Sequence, residues 1–129
     1  MKKLLIIAAA ILTLAACTKE DSTKWIDGTQ WKYRQQNSEG YKTECNLTLM
    51  NGSEVYYYKG FPPSYGYAYT EYRYYITSYS YDGKNSGTIQ LRGLNYYASD
   101  GTATFTLNYD QSKLSISAPD FYCTLDRTK

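Results

Sequence analysis

The chain contains no histidine. That removes the most frequent general base and the most frequent zinc ligand. Cysteine is limited to Cys17, Cys45 and Cys123, with no C-x-x-C spacing, so a thiolate metal site is not expected. No G-x-S-x-G, P-loop or H-E-x-x-H pattern is present. The remaining catalytic option is a pair of carboxylates, such as Asp100 with Asp110 or Glu44 with Glu54. These residues lie in turns and at strand ends, where a solvated carboxylate is the simpler reading. Neither enzyme activity nor a metal or other cofactor is therefore expected.

A surplus of charge is missing too. The 14 Lys+Arg face 12 Asp+Glu, and two of the basic residues, Lys2 and Lys3, stand at the start. Without them the signs balance. No basic stripe exists for a nucleic acid to follow, so that class of partner is excluded. Long apolar runs are also few. Leu4 to Leu14 covers about 11 residues, short of the roughly 20 that cross a bilayer as a helix. A permanent transmembrane helix is not expected.

That one apolar run has informative flanks. Lys2 and Lys3 precede it, and Leu14-Ala15-Ala16-Cys17 closes it. A positive start, an apolar middle and a small-residue end make a secretory signal, here a signal-peptide helix over Met1 to Ala16. The closing tetrad resembles the lipobox of bacterial lipoproteins: Leu, two small residues, then Cys. The resemblance implies lipidation of Cys17, cleavage before it and acylation of the new amino end. Several acyl chains anchor far better than one, because each buried CH₂ contributes about 0.8 kcal/mol. Cys17-Thr18-Lys19-Glu20-Asp21 resembles the surface-export signal of lipoproteins from the Bacteroidota. Asp21-Ser22-Thr23 is similar to the O-glycosylation signal of the same group, with Ser22 as acceptor. These resemblances imply a protein held in the outer membrane by lipid and displayed at the cell surface.

Removing the lipidated residue leaves Cys45 and Cys123, an even number for an oxidising compartment. Two outcomes stay open: a disulfide linking the start of the domain to its end, or two buried free thiols.

Residues 17–27 read as the lipidated cysteine and a short tether. From residue 28 to 129 the text reads as β structure. Tyrosine occurs 17 times, and threonine is frequent, which favours pleated strands. Alternation is clean in several segments. Cys45, Leu47 and Leu49 share one face. Ala103, Phe105, Leu107 and Tyr109 share another, as do Leu114 with Ile116 and Phe121 with Cys123 and Leu125. Period two with one apolar side marks a sheet packed on one face and wet on the other. Asn51-Gly52 suits a two-residue type I′ hairpin. The pattern predicts about eight strands, over 30–36, 43–50, 54–60, 66–77, 79–82 merging into 87–92, 102–109, 113–117 and 121–127. The 66–82 stretch fits one bent strand or two. Successive hairpins without helical crossovers predict an all-β, antiparallel, up-and-down barrel, whose closure removes exposed edges.

Gly28-Thr29-Gln30-Trp31-Lys32-Tyr33 resembles the Gly-x-x-Trp opening of lipocalin-like domains, where the Trp sits at the closed end. The ending from Ala103 to Arg127 is similar as well: paired strands with an Arg near the close. The likeness implies a lipocalin-like barrel over residues 28–129, shorter than a full lipocalin and without its C-terminal helix.

The tyrosines crowd Tyr56 to Tyr58, Tyr65 to Tyr81, and Tyr96 with Tyr97. Neighbours on a strand point to opposite faces, so both faces of this region carry rings. Tyr combines a broad apolar ring with a hydroxyl at low entropic cost, which suits binding. The same residue also serves as a soluble strand former. Two readings of function follow. In one, the barrel mouth holds a small apolar or glycan ligand, with Phe61, Tyr65, Tyr67, Tyr72 and Tyr74 as its contacts. In the other, a filled barrel binds a protein, as a surface inhibitor or accessory subunit. Ser86-Gly87 faintly resembles a Ser-Gly pair of membrane-bound lysozyme inhibitors. An interior packed with Trp31, Leu47, Leu49, Ile89, Phe105 and Leu114 favours the second reading. An open cavity of roughly 300 Å³ or more favours the first.

Overall fold

A computed structural model describes residues 26–129. The signal peptide, the lipidation residue Cys17, most of the tether and Ser22 lie outside the described residues. The rest is one closed barrel with eight antiparallel strands in up-and-down order: β1 (Gln30–Gln36), β2 (Lys42–Thr48), β3 (Glu54–Gly60), β4 (Tyr69–Tyr81), β5 (Ser86–Gly93), β6 (Gly101–Leu107), β7 (Lys113–Ser117) and β8 (Tyr122–Arg127). The expected fold class holds.

The interior is built from the alternating residues the sequence displays. Cys45, Leu47 and Leu49, then Ala103, Phe105 and Leu107, then Leu114, Ile116, Cys123 and Leu125 are all buried. Their outward neighbours are mostly Thr, Ser and charged residues. Each buried Leu or Ile contributes about 1.5–3 kcal/mol relative to exposure, so this one-sided pattern drives closure. The β1–β8 seam is the short one, with just Trp31↔Arg127 and Lys32↔Asp126 in register. Beyond Lys32 the two strands part. β2 and β8 then approach each other across the gap.

Three expectations need correction. Residues 79–81 do not merge into the next strand. They end β4, and β5 begins at Ser86. Asp82 explains the break: its Oδ1 accepts the backbone N–H of Lys84 (2.7 Å), Asn85 (3.0 Å) and Ser86 (3.1 Å), which closes a tight turn. The 66–82 stretch is one bent strand from Tyr69, with a register shift between Ile76 and Ser78. The Asn51-Gly52 turn is not type I′. Gly52 has φ of +87°, but Asn51 does not share the positive φ that such a turn needs. Ser53 N–H instead donates to Met50 O at 3.1 Å. Finally, Tyr109 does not continue the inner face of β6. That strand ends at Leu107, and Tyr109 stands fully exposed in the following turn.

Candidate functional site

Up-and-down topology sorts the connections between two ends. The first described residues, the C-terminus and the turns 49–53, 82–85 and 108–112 share one end. The loops 37–41, 61–68, 94–100 and 118–121 share the other.

The first end is closed. Trp31 is buried, and its Nε1–H donates to Thr29 Oγ1 at 2.9 Å. Thr29 in turn donates to Ile26 O at 2.6 Å, and the Arg127 guanidinium lies 5.6 Å from the Trp31 ring centroid. The opening Gly-x-x-Trp and the late Arg therefore meet at one plug.

The second end holds most of the aromatic loops. The five residues expected to contact a ligand divide into two groups there. Tyr72 and Tyr74 point inward. Tyr57 stacks on Phe121 (4.6 Å between centroids, 13° between planes), and Tyr72 and Tyr74 pack beside them. Tyr74 is fully buried, with its hydroxyl donating to Asp120 Oδ2 at 2.5 Å. These rings fill the mouth. Phe61, Tyr65 and Tyr67 lie instead in the loop after β3. Phe61 sits between Tyr41 (5.4 Å) and Tyr67 (4.7 Å), and the Tyr65 ring lies against Gly40, where a Cβ would come within 2.3 Å of it. A φ of +94° at residue 40 is what favours glycine there, since the Tyr65 ring is half-exposed and free to shift.

Inside the barrel, Trp31, Leu47, Leu49, Ile89, Phe105 and Leu114 are each at most 2% exposed. The packing is that of a filled barrel. Clefts formed by described residues lie on the outer wall and at the rim.

One of these clefts adds residues that the sequence reading did not assign to the site. It measures about 360 Å³ and is lined by Tyr69, Glu71, Asn95, Tyr96 and Tyr97. Asn95 builds it. Its Oδ1 accepts Arg73 N–H at 3.1 Å and its Nδ2 donates to Glu71 O at 2.8 Å, so a side chain extends the β5 pairing along β4. Beside the cleft, Tyr58 stacks between Tyr69 (5.4 Å) and Tyr56 (6.4 Å), and the Lys42 ammonium lies 5.1 Å from the Tyr58 centroid.

The proposed carboxylate pairs do not form. Asp100 accepts Gly93 N–H at the aromatic end, whereas Asp110 accepts both the N–H and hydroxyl of Ser112 at the closed end. Those bonds from Ser112 hold the Asp110 carboxyl below its ordinary pKa. Glu44 lies opposite Tyr58 and near Lys42 (3.6 Å), while Glu54 pairs with Arg73 (3.2 Å) at the other end of β3. The Ser86-Gly87 pair begins β5. A Cβ on Gly87 would stand 2.2 Å from Ser80 O and 2.4 Å from the Phe105 ring, so packing accounts for the glycine.

Cys45 and Cys123 are free thiols, both buried, and the Cys123 thiol is directed at Thr124 O at 3.8 Å. The interaction between the two thiols pushes Cys45 up, helped by burial, and brings Cys123 down.

Burial, aided by the bond to Asp120, pushes the Tyr74 phenol above its ordinary range. Burial and the bond to Asp27 raise Tyr79 likewise, and burial pushes Tyr56 up to about 12. In an unfolded chain these phenols ionise near pH 10. A raised folded value means the folded state keeps protons that the unfolded state releases. Their contribution is therefore complete below about pH 10 and is lost as pH rises further. Denaturant midpoints should stay level up to that point and then fall. Tyr74→Phe should make the alkaline fall shallower; an unchanged slope in that variant would remove Tyr74 from the account.

No family model, no curated protein and no solved structure matches the chain. Fold and site together define a small closed barrel with a filled interior and an aromatic rim.

Proposed function

We propose that this protein is an exported, lipid-anchored, non-catalytic barrel that uses its aromatic rim to bind a partner in the surroundings of the cell. The lipobox-like tetrad at Leu14–Cys17 and the residues after it support the export and anchoring. The observation that carries the binding role is the cluster of exposed rings at the rim, Tyr65, Tyr67, Tyr69, Tyr96 and Tyr97, over an interior whose core side chains are buried. Topology supports the direction. The chain from Cys17 enters at the closed end, so the rim loops point away from the anchored end. Nine residue steps from Cys17 to Ile26 reach at most about 30 Å, enough to lift the barrel clear of the headgroups. A protein partner fits this arrangement better than a small apolar molecule, which would need internal space. Tyr-rich rims supply anchors for protein contacts.

The test places a photo-crosslinking amino acid at Tyr67 or Tyr97 on the rim, and at Thr104 on the wall, in living cells. Discrete adducts are expected from the rim positions and none from Thr104. The same proteins with Cys17→Ser should move from the membrane to the soluble fraction. Adducts from neither rim position, or equal adducts from wall and rim, would reject the binding role; unchanged membrane partitioning of the serine variant would reject the anchor.

A further inference from the structure

The cleft of Tyr69, Glu71, Asn95, Tyr96 and Tyr97 is not accounted for by packing. Tyr69, Tyr96 and Tyr97 are exposed by 44%, 94% and 62%, so three large rings stand in water around it. Tyr96 and Tyr97 meet at 90° with centroids 5.2 Å apart, which makes two walls at a right angle. Tyr69 on β4 makes a third side, its ring backed by Tyr58.

The polar content is one-signed. The Glu71 carboxylate is half-buried and has no hydrogen-bond donor or cation among the described residues. The neighbouring cations are engaged elsewhere: Arg73 with Glu54 at 3.2 Å, and Lys42 with Glu44 at 3.6 Å. Asn95 has its oxygen and amide nitrogen committed to the β4 backbone. Apart from the phenols and the second N–H of Asn95, the cleft therefore offers one anionic acceptor and aromatic faces.

We propose that this cleft binds an organic cation of the trimethylammonium type. The negative faces of tyrosine rings attract a cation, and the attraction grows as the cation loses water. A methylated ammonium suits the site better than a free one. It has no N–H to keep hydrated, whereas a primary ammonium holds water on its three donors and loses it at greater cost against ring faces. A hard metal ion would want six or so oxygens. The volume of about 360 Å³ accepts a choline-sized group. The inference rests on the reading that the rim is a binding surface, and it names one chemistry for that surface.

The test uses the full lipidated protein in a maltoside detergent, which carries no ammonium group. Choline chloride and tetramethylammonium chloride are titrated while tyrosine fluorescence is followed. The control is the neutral isostere of choline, in which a tert-butyl group replaces trimethylammonium. Saturable millimolar binding of both cations is expected, with the isostere at least about ten-fold weaker. Glu71→Gln should weaken choline binding about ten-fold, and Tyr97→Ala by a similar factor. Short-chain phosphatidylcholine below its micelle concentration distinguishes sources. Competition with choline assigns a lipid headgroup, and its absence assigns a soluble cation. No saturable binding, equal binding of the isostere, or an unaffected Glu71→Gln variant would overturn the proposal. Rim crosslinks that persist alongside such a result would leave the binding rim intact and reject only its cation chemistry.

Discussion

Oxidised protein should unfold roughly 8 to 32 °C above the same protein treated with a thiol reductant, because Cys45 on β2 and Cys123 on β8 are both buried in the barrel interior where these two strands approach. Both thiols are free and buried in the barrel interior, near enough for each to shift the other's ionisation. The location gives the bridge its size of effect. β1 separates β2 from β8 around the barrel, yet it pairs with β8 through only two residue pairs. That seam is the weakest in the ring. A bond between Cys45 on β2 and Cys123 on β8 would close the ring where backbone pairing has ended. It would also enclose residues 45–123, about three quarters of the described domain, and long loops lose the most unfolded-state entropy when joined, with about 2–4 kcal/mol typical. At about 4–8 °C per kcal/mol for a domain of this size, the shift follows.

The chemistry is thiol–disulfide exchange. The Cys123 thiol, lowered by its neighbour, is the better source of thiolate. It attacks the disulfide of an oxidoreductase to give a mixed disulfide. Cys45 then displaces the enzyme sulfur, which leaves the oxidoreductase with two thiols. Intact mass of the oxidised protein should be lower by two hydrogen atoms. A Cys45→Ala/Cys123→Ala variant should be indifferent to reductant. If wild-type protein kept the full mass after exposure to an oxidised oxidoreductase, the bridge would be excluded. A melting midpoint unmoved by reductant in bridged protein would exclude its role at the seam.

The ring was legible in the sequence wherever inside and outside differ in residue type. Leu47 against Thr48, or Phe105 against Thr104 and Thr106, announces the buried face at each step. The region from Tyr69 to Tyr81 could not be read that way, because tyrosine occupies both sides. Tyr72 and Tyr74 turn inward, while Tyr69 and Tyr75 turn out. A phenol serves on either face: the ring packs, and the hydroxyl finds water or a carboxylate such as Asp120. The bulge compounds this. Even-numbered residues point inward up to Ile76, then Tyr79 and Tyr81 do, since Thr77 is skipped in the pairing. This is why the sequence alone does not show that Tyr72 packs beside Tyr57, and Tyr74 beside Phe121. Glu71 and Asn95 were missed for another reason. They are 24 residues apart, and their meeting depends on a side-chain amide continuing a strand pair. The doublet Tyr96-Tyr97 was visible as a cluster, but nothing local shows what it faces.

The closed end gives the largest single-residue effect. Trp31→Ala should cost about 3–5 kcal/mol, a substantial part of the 5–15 kcal/mol that holds a domain together. Cavity formation dominates this cost. Trp31 is among the largest fully enclosed side chains of the barrel, and Ile26, Thr29 and Arg127 are arranged around it. The polar part is smaller. Losing the Nε1–H bond leaves Thr29 Oγ1 with its donation to Ile26 O intact, so Trp31→Phe should cost about 1–2 kcal/mol. The order alanine, then phenylalanine, then wild type is expected in denaturant midpoints. The position also predicts which part of the chain feels the loss. Gln30 exchanges hydrogen bonds with Thr128 and Lys129 next to the plug, and the short β1–β8 seam begins there. Amide exchange in Trp31→Ala should therefore accelerate first along β1 and β8, with β5 to β7 slower to respond. Uniform acceleration across all strands would mean that the seam is not the place where this barrel opens. Equal midpoints for the alanine and phenylalanine variants would mean that the hydrogen bond, not the volume of the ring, closes this end.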